Sequence, residues 1–326
     1  MKKLLEFLQN QVFNSRTIVF EERCLYLIDK KFDEINRAKD AGYIRSILFL
    51  IIGLSLASNI FAANLADKYI ALDGHKIHYY VTGTGKPVVL LTGYGVTTNF
   101  WSAPFIQCLA QNRTVYLLDY QGINTGSPAS PQLSIKMMAD DTNRTIEKLH
   151  LDHPEVVGWS MGGTVALQLA YTYPHSISEL VLISPALPTA NIDNPLPHPI
   201  PKLNSADDVL NFVFANNIYN YKKSYLNQYK AQILNPDKLL FPDHAQTSLE
   251  RIAIKSWVIN LNNLSNLYHT QTPAKFILAD KDIMLNHEEQ ATLLKNYANS
   301  TIIIVKNSGH AIFYQYPKYV CQEILN

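Results

Sequence analysis

The sequence predicts an α/β protein with a doubly wound, mostly parallel sheet and a helical cap inserted between two late strands. From Lys68 onward, short runs rich in Val and Ile alternate with stretches of helical periodicity, which is typical of parallel strands covered by helices. Between Pro185 and Thr272 the strand signals stop, and the chain becomes first rich in proline and then helical and aromatic. An insertion of this kind is expected to cover the carboxyl ends of the strands, where open α/β sheets bind ligands.

Each strand of the predicted sheet is marked by its own apolar run. Two strands, 69–72 and 76–81, flank the dipeptide Asp73-Gly74, which favours a hairpin turn. The middle runs are apolar almost throughout, so both faces of the sheet are expected to be buried. The strands predicted after the hairpin are 88–91, 114–119, 155–157, 179–184, 276–279 and 301–305. The core is therefore expected to comprise 68–185 and 273–326, and the cap 186–272.

The front of the chain has the features of an export signal. Arg45 precedes the apolar run 47–56, and small residues follow this run up to Ala63. Three interpretations of 44–63 stay open, namely a cleaved signal peptide, an uncleaved anchor that associates with the membrane, and a buried core helix. Basic residues before the run predict that the main body lies outside the cytoplasm, with a cytoplasmic location as the alternative. Residues 1–43 are predicted to form an amphipathic helical extension.

Charge and cysteine content exclude several classes of protein. The 28 Lys and Arg residues are matched by 27 Asp and Glu residues, so no basic surface for nucleic acid is expected. The three cysteines, Cys24, Cys108 and Cys321, are far apart and odd in number. They predict neither a disulfide framework nor a metal site, and each is expected to be a small buried residue. The sequence contains no cluster of metal ligands, so no metal and no cofactor are expected.

The strongest motif in the sequence is Gly158-Trp159-Ser160-Met161-Gly162, which fits the pattern G-x-S-x-G. It lies between the predicted strand 155–157 and the helical stretch 164–170. A serine can attack a carbonyl only if a tight turn holds its hydroxyl clear of the sheet, and glycines are needed where side chains would collide. We therefore interpret Ser160 as a nucleophile.

A serine nucleophile needs a base and an acid that orients the base. The predicted strand 276–279 is followed by a loop with Asp280 and Asp282, and the predicted strand 301–305 is followed by a loop that ends in His310. The order along the chain is thus serine, acid and histidine, with each residue in a loop at the end of a strand.

The chain resembles the α/β-hydrolase superfamily, in its cap-bearing branch of esterase-like, lipase-like and carbon–carbon-bond hydrolases. The resemblance covers Lys68 to Leu325. It rests on segments that occur in the order of the family: LLTGYG (90–95), DYQGINTGS (119–127), GWSMGG (158–163), PAKFILADKD (273–282) and SGHAIFYQYP (308–317). The resemblance implies the α/β-hydrolase fold, with Ser160 as nucleophile and His310 as general base. Asp282 is implied as the orienting acid, since it matches the family's G-x-x-D with Ala279 in the place of the glycine, and Asp280 is the alternative.

The resemblance also implies an oxyanion hole, in which two backbone N–H groups bind the negative oxygen of a tetrahedral intermediate. The implied donors are Met161, directly after the nucleophile, and Tyr94, in the loop after the first parallel strand. The family usually has His-Gly where this chain has Thr92-Gly93. This difference alters the anchoring of the loop but keeps the backbone donor.

Together these features predict a serine hydrolase that cleaves a carboxylic ester, or a related acyl bond, of a small apolar substrate through an acyl-enzyme. Alternatives with the same triad are a carbon–carbon-bond hydrolase and an acyltransferase, and an alternative of another class is a ligand-binding protein without catalysis. Epoxide hydrolases and dehalogenases of this fold are disfavoured, because Ser160 stands where they use an aspartate. The expected pocket is apolar, since the cap is rich in aromatic residues: Phe212, Phe214, Tyr219, Tyr221, Tyr225, Tyr229 and Trp257.

Overall fold

An eight-stranded sheet forms the centre of the protein. In the computed structural model, the residues described are 65–189, 205–214 and 223–326. The predicted extension 1–43 and the predicted signal or anchor 44–63 lie outside these residues. None of the helices in the described ranges combines the length and the apolar character that a membrane crossing requires.

The sheet is mixed, with parallel pairing through most of its width. Its strands are, in chain order, β1 (Lys68–Leu72), β2 (His75–Gly83), β3 (Lys86–Leu91), β4 (Arg113–Leu118), β5 (Glu155–Trp159), β6 (Leu180–Ile183), β7 (Ala274–Ala279) and β8 (Ser300–Val305). Their order across the sheet is β1-β2-β4-β3-β5-β6-β7-β8. The pairs β1–β2 and β2–β4 are antiparallel, and every other neighbouring pair is parallel. This arrangement confirms the predicted fold class.

The bounds of the strands follow the apolar runs of the sequence. Each predicted end lies within two residues of the observed end, because runs of Val, Ile and Leu favour the strand conformation and are buried in the sheet. The predicted turn at Asp73-Gly74 joins β1 to β2, and Gly74 has a φ of 87°. All of β6 is buried, and so is Val88–Leu91 in β3, as expected for strands with helices on both faces.

The direction of winding reverses at β3, which has β4 on one side and β5 on the other. Open α/β sheets bind ligands at such a switch point, in the crevice beyond the carboxyl ends of the strands. The loop that begins at Thr92 follows β3, and Ser160 follows β5. Two of the predicted site segments therefore leave adjacent strands at the switch point.

Helices cover the sheet and form the cap. The described helices are α1 (Ala103–Ala110), α2 (Ile135–Lys148), α3 (Met161–Thr172), α4 (Ala206–Phe214), α5 (Lys223–Lys230), α6 (His244–Val258), α7 (Leu261–His269), α8 (His287–Leu294), α9 (Ile312–Gln315) and α10 (Pro317–Leu325). Helices α4 to α7 lie between β6 and β7 along the chain. This confirms that a helical cap is inserted between two late strands.

The cap is joined to the loop after β3 by main-chain hydrogen bonds. The two segments involved are 97–103, beyond β3, and 232–240, between α5 and α6. The bonds run from Thr97 N to Leu240 O (2.9 Å), from Leu234 N to Trp101 O (2.8 Å) and from Ala103 N to Gln232 O (2.6 Å). Because buried backbone groups must be paired, these bonds fix the cap segment against the loop.

Two of the cysteines form a disulfide, which corrects the prediction from the sequence. Cys108 of α1 is bonded to Cys321 of α10, at a separation of 213 residues along the chain. The prediction was wrong for this pair because spacing in the sequence does not reveal that α1 and α10 pack side by side. Their packing brings the two Cα atoms to 6.2 Å, within the range that a disulfide spans. Cys24 lies outside the described residues.

Candidate active site

Ser160 lies at the tight turn between β5 and α3. Its φ of 54° and ψ of −117° are rarely adopted by a residue with a side chain. The glycines on either side leave room for the turn. A Cβ atom on Gly158 would lie 2.4 Å from the carbonyl oxygen of Gly162, and a Cβ atom on Gly162 would lie 2.2 Å from that of Leu91. The spacing of the motif is therefore a steric requirement of this turn.

The backbone of Ser160 is held by hydrogen bonds on both sides. Its N–H donates to the carbonyl of Ile183 in β6 (3.0 Å), and its carbonyl accepts from the N–H of Gly163 (3.0 Å). These bonds continue the sheet on one side and start α3 on the other, so they stabilise a strained conformation that would otherwise relax. The residue is 6% exposed, which leaves limited access to its hydroxyl.

His310 and Asp282 form a buried pair. Nδ1 of His310 and Oδ2 of Asp282 are 2.7 Å apart, and each side chain is 2% exposed. A carboxylate can only accept, so Nδ1 carries the hydrogen and Nε2 is the basic nitrogen. The other carboxylate oxygen accepts from the N–H groups of Met284 (2.8 Å) and Leu285 (3.1 Å), which fixes the orientation of Asp282.

The alternative acid, Asp280, has a different partner. Its Oδ1 accepts from the N–H of Ser308 at 3.2 Å, so it stabilises the loop before His310. Of the two candidate acids, Asp282 is the one in contact with the imidazole.

Trp159 and a cap helix hold the main chain of His310 between them. The indole Nε1 of Trp159, next to Ser160, donates to the carbonyl of His310 at 3.0 Å, and the two rings lie 5.6 Å apart. The N–H of His310 donates to the carbonyl of Val213 in α4 at 3.2 Å. Within the described ranges, no hydrogen bond joins the Ser160 hydroxyl to the imidazole of His310. Such bonds often tighten only when substrate is bound.

The loop after β3 passes directly beside Ser160. A Cβ atom on Gly93 would lie 3.0 Å from the ring of Trp159 and 3.3 Å from Cβ of Ser160, so only a glycine fits without displacement. Tyr94, one of the two candidate oxyanion donors, is the next residue. The other candidate, Met161, is the first residue of α3, where a backbone N–H has no acceptor within its own helix.

Besides the main-chain bonds to the cap, three hydrogen bonds anchor the first part of this loop, which has Thr92 in place of the histidine usual in the family. The Tyr120 hydroxyl donates to the carbonyl of Thr92 (2.9 Å), and the Thr92 hydroxyl donates to the carbonyl of Val96 (3.5 Å). The N–H of Gly95 donates to Oε2 of Glu250 in α6 at 2.9 Å.

Glu250 was not predicted as a site residue from the sequence. It follows an apolar residue, Leu249, in a helix, as many glutamates on protein surfaces do. In this protein, however, Glu250 is 0% exposed. Burial raises its pKa from 4.5 to about 7, and the nearby carboxylate of Asp119 acts in the same direction. Only the fold reveals this residue, because its partner Gly95 is 155 positions away.

The predicted aromatic residues of the cap have different surroundings. Phe214 lies against Gly309, beside His310, and its ring is 4.8 Å from that of Tyr229. Trp257 instead stacks on Tyr171 of α3 at 6.1 Å, so it packs the cap onto the core. Tyr219 and Tyr221 lie outside the described residues. In the described part of the chain, no group of three or more His, Cys, Asp or Glu side chains is placed to bind a metal ion.

Comparison with known proteins identifies the family of this chain. The family model described as alpha/beta hydrolase fold matches residues 86–317. A protein of Azorhizobium caulinodans named as the carbamate hydrolase RutD is 30% identical over 109 residues, and the match spans 33% of this chain and 40% of that protein. The protein of the same name from Serratia proteamaculans is 23% identical over 244 residues, which are 72% of this chain and 90% of that protein.

Solved structures of the same fold are similar over most of this chain. An alpha/beta hydrolase fold protein from Chitinophaga pinensis has a TM-score of 0.69 at 18% identity, and the match covers 81% of this chain and 97% of that one. An esterase from Exiguobacterium antarcticum has a TM-score of 0.60 at 22% identity, with coverage of 80% and 98% respectively. These chains resemble the present one in fold, and the family model spans the chain from β3 to the start of α10, including the cap. The chain therefore belongs to the α/β-hydrolase fold family.

Proposed function

We propose that this protein is a serine hydrolase that cleaves a carboxylic ester, or a related acyl bond, of a small apolar substrate through an acyl-enzyme. The main support is the buried hydrogen bond between Asp282 and His310, together with the strained turn at Ser160 beside it. A strained turn and a buried ionisable pair both cost free energy, so their occurrence together favours a catalytic role.

In the proposed mechanism, Ser160 attacks the carbonyl carbon and His310 Nε2 takes the hydroxyl proton. Asp282 keeps the imidazole in the tautomer with hydrogen on Nδ1 and stabilises the imidazolium that forms. The N–H groups of Met161 and Tyr94 bind the negative oxygen of the tetrahedral intermediate. Collapse of this intermediate expels the alcohol, which receives the proton from His310. Water activated by His310 then hydrolyses the acyl-enzyme and releases the acid.

The environment of the site favours an apolar acyl group. Two aromatic rings lie beside the candidate base: Trp159 packs on His310, and Phe214 of the cap lies against Gly309. Apolar walls with a few polar anchors are typical of pockets for small ligands. The names of the relatives add carbamates to esters as compounds to test, since both contain an acyl carbon open to attack.

The proposal is tested by hydrolysis of p-nitrophenyl esters of short and medium chain length, with carbamates as a second panel. Ser160→Ala is expected to lower the rate by at least about 1,000-fold, because no other group replaces the nucleophile. Equal rates for the two proteins would contradict the proposal. Rapid labelling of Ser160 by a fluorophosphonate would separate an enzyme from a ligand-binding protein of the same fold, which would stay unlabelled.

We also propose that the catalytic domain works outside the cytoplasm, exported or anchored through 44–63. The disulfide between Cys108 and Cys321 supports this location, since disulfides persist in oxidising compartments. Fractionation of cells, with sequencing of the mature N-terminus and alkylation of free thiols, tests the proposal. A cytosolic protein that retains Met1 and has Cys108 and Cys321 as free thiols would contradict it.

A further inference from the structure

A buried carboxylate of the cap holds the loop beside the candidate nucleophile. Glu250 lies in α6 and is 0% exposed. Its Oε2 accepts from the backbone N–H of Gly95 at 2.9 Å, and its Oε1 accepts from the amide of Gln246 at 3.0 Å. Both oxygens are therefore satisfied by N–H donors, one from the loop after β3 and one from the same helix.

The two hydrogen bonds favour the charged form of this carboxylate, but burial and a neighbouring like charge outweigh them. The charged group that acts on it, among the described residues, is Asp119, which has the same sign. Burial of an ionisable group without an opposite charge is costly, and an apolar side chain of similar size would usually be cheaper. The hydrogen bond to Gly95 is the feature that an apolar residue would not supply.

This bond has a geometric consequence for Tyr94. The N–H of Gly95 belongs to the peptide plane between residues 94 and 95, which Glu250 fixes. The carbonyl of Thr92 belongs to the peptide plane between residues 92 and 93, which the hydroxyl of Tyr120 fixes at 2.9 Å. The peptide that bears the N–H of Tyr94 lies between these two planes, so fixing both restricts its rotation.

We propose that Glu250 is a positioning residue of the oxyanion hole, which acts with Tyr120 to hold the N–H of Tyr94 towards the negative oxygen of the intermediate. This inference rests on the proposed function. Preorganised donors stabilise the transition state without reorganising during the reaction, so a loop that is free to rotate would lose this stabilisation.

The test is a comparison of kcat and KM for p-nitrophenyl butyrate at pH 8, well below the melting temperature of every variant. Glu250→Ala is expected to lower kcat by about 10- to 100-fold and to change KM by less than about threefold, because the loop serves the transition state more than the ground state. Glu250→Gln is expected to keep at least about a third of kcat, since the new side-chain carbonyl can accept from the N–H of Gly95. The new NH₂ group can then donate to Gln246, whose side-chain amide rotates so that its oxygen faces it.

Two further variants keep the test decisive. Ile254→Ala removes a buried side chain from the same helix but leaves in place the hydrogen bonds that Glu250 and Tyr120 make to the loop, and its kcat is expected to stay within about twofold of that of the wild type at this temperature. Tyr120→Phe removes one hydroxyl and preserves the ring, so it tests whether fixing the loop matters, and Glu250→Gln tests the bond to Gly95, even if Glu250→Ala does not fold. We expect it to lower kcat by about 5- to 50-fold at constant KM.

The outcomes separate this inference from the function on which it rests. If Ser160→Ala abolishes hydrolysis but Glu250→Ala and Tyr120→Phe keep the wild-type kcat, the positioning role is wrong and the proposed function stands. If Glu250→Ala loses no more kcat than Ile254→Ala, the role is also wrong. If Ser160→Ala hydrolyses the ester as fast as the wild type, the proposed function fails, and the oxyanion role of the loop fails with it.

Discussion

Ser160 keeps its strained backbone because the glycines around it allow neighbouring segments to approach closely. The nearest obstacle to a side chain on Gly162 is the carbonyl oxygen of Leu91, at the end of β3. The serine turn is thus in direct contact with the end of β3, where the winding reverses, and with the start of the loop that follows. A change in the size of this one residue would displace the candidate nucleophile relative to the loop.

Gly162→Ala is therefore expected to lower ester hydrolysis by at least about 100-fold, since a misplacement of about 1 Å at a catalytic group has an effect of this size. Gly126→Ala is the control. Its φ is 71° and nothing lies within 4 Å of the added Cβ, so it introduces backbone strain without a collision. The rate of ester hydrolysis and the melting temperature are measured for both variants. Full activity of Gly162→Ala would refute the steric argument.

The two aspartates after β7 offer a matched pair of substitutions. Asp282→Asn is expected to lower kcat by about 1,000- to 10,000-fold, because the amide no longer holds His310 in the required tautomer. Asp280→Asn is expected to lower it by less than about tenfold, since its partner is the backbone of Ser308. Steady-state kinetics on both variants measures the difference. Equal losses of kcat would mean that contact with the imidazole does not determine which aspartate acts as the orienting acid.

Glu250 is expected to make the free energy of unfolding depend on pH. Its pKa is raised by burial from 4.5 to about 7, so the folded protein binds this proton more tightly than the unfolded chain. Its contribution to stability is therefore fully present below pH 4.5 and is lost as the pH rises through about 7. The groups that face it are Asp119, after β4, and the tyrosines Tyr94 and Tyr120, whose pKa values are also raised.

Glu250→Gln removes this titration. Its free energy of unfolding, relative to the wild type, is expected to rise between about pH 5 and pH 8 by roughly 3 kcal/mol or less. Urea unfolding across this range measures the difference. The variant's own stability will still depend on pH, because burial also raises the pKa of Glu155 to about 7. A constant difference between the two proteins would show that the carboxylate does not titrate in this range.

Elements of the fold differ in how far the sequence predicts them. Apolar runs marked the middle strands such as β3 and β6, since burial on both faces requires an apolar residue at nearly every position. The outer strands β1 and β2 were marked by the turn at Asp73-Gly74 between them. The serine turn was evident because the residues of its motif are adjacent in the sequence. The disulfide between α1 and α10 and the bond between Glu250 and Gly95 were missed, because each joins segments that only the assembled fold brings together.

The disulfide connects two helices that lie near the candidate site along the chain. Helix α10, with Cys321, is separated from His310 only by the short helix α9. The bond therefore anchors the segment that follows the histidine. Because a cross-link of this kind limits the freedom of the unfolded chain, it is worth about 2–5 kcal/mol in typical small domains.

Reduction of this disulfide is expected to lower the melting temperature by roughly 5–15 °C, at about 2–4 °C per kcal/mol for a domain of this size. The measurement is thermal unfolding with and without reductant, alongside a count of free thiols. The double variant Cys108→Ser with Cys321→Ser is the control, since reductant should leave its melting temperature unchanged. A wild-type protein that is fully reduced but melts at the same temperature would contradict the expectation.

At the scale of the molecule, and within the residues that the structure describes, hydrogen bonds attach the cap to the candidate site and its loop at three places. Val213 accepts from the N–H of His310, Glu250 accepts from that of Gly95, and the segment 232–240 pairs with 97–103. The cap therefore contributes to the geometry of His310 and of the loop after β3. Sequence analysis predicted the cap but could not reveal these attachments, because each joins a residue of the cap to a backbone group that lies far away along the chain.

Because 97–103 and 232–240 are paired through their main chains, both segments must be exchanged together when a chimera is made with a relative of different specificity. If the cap is transplanted without 97–103, its segment 232–240 would face the recipient's own loop, and the main-chain hydrogen bonds between the two segments would not form in the same pairing. We expect a chimera to fold and to keep its turnover if it includes both segments. It must also keep Glu250 in position to accept the hydrogen bond from the N–H of Gly95.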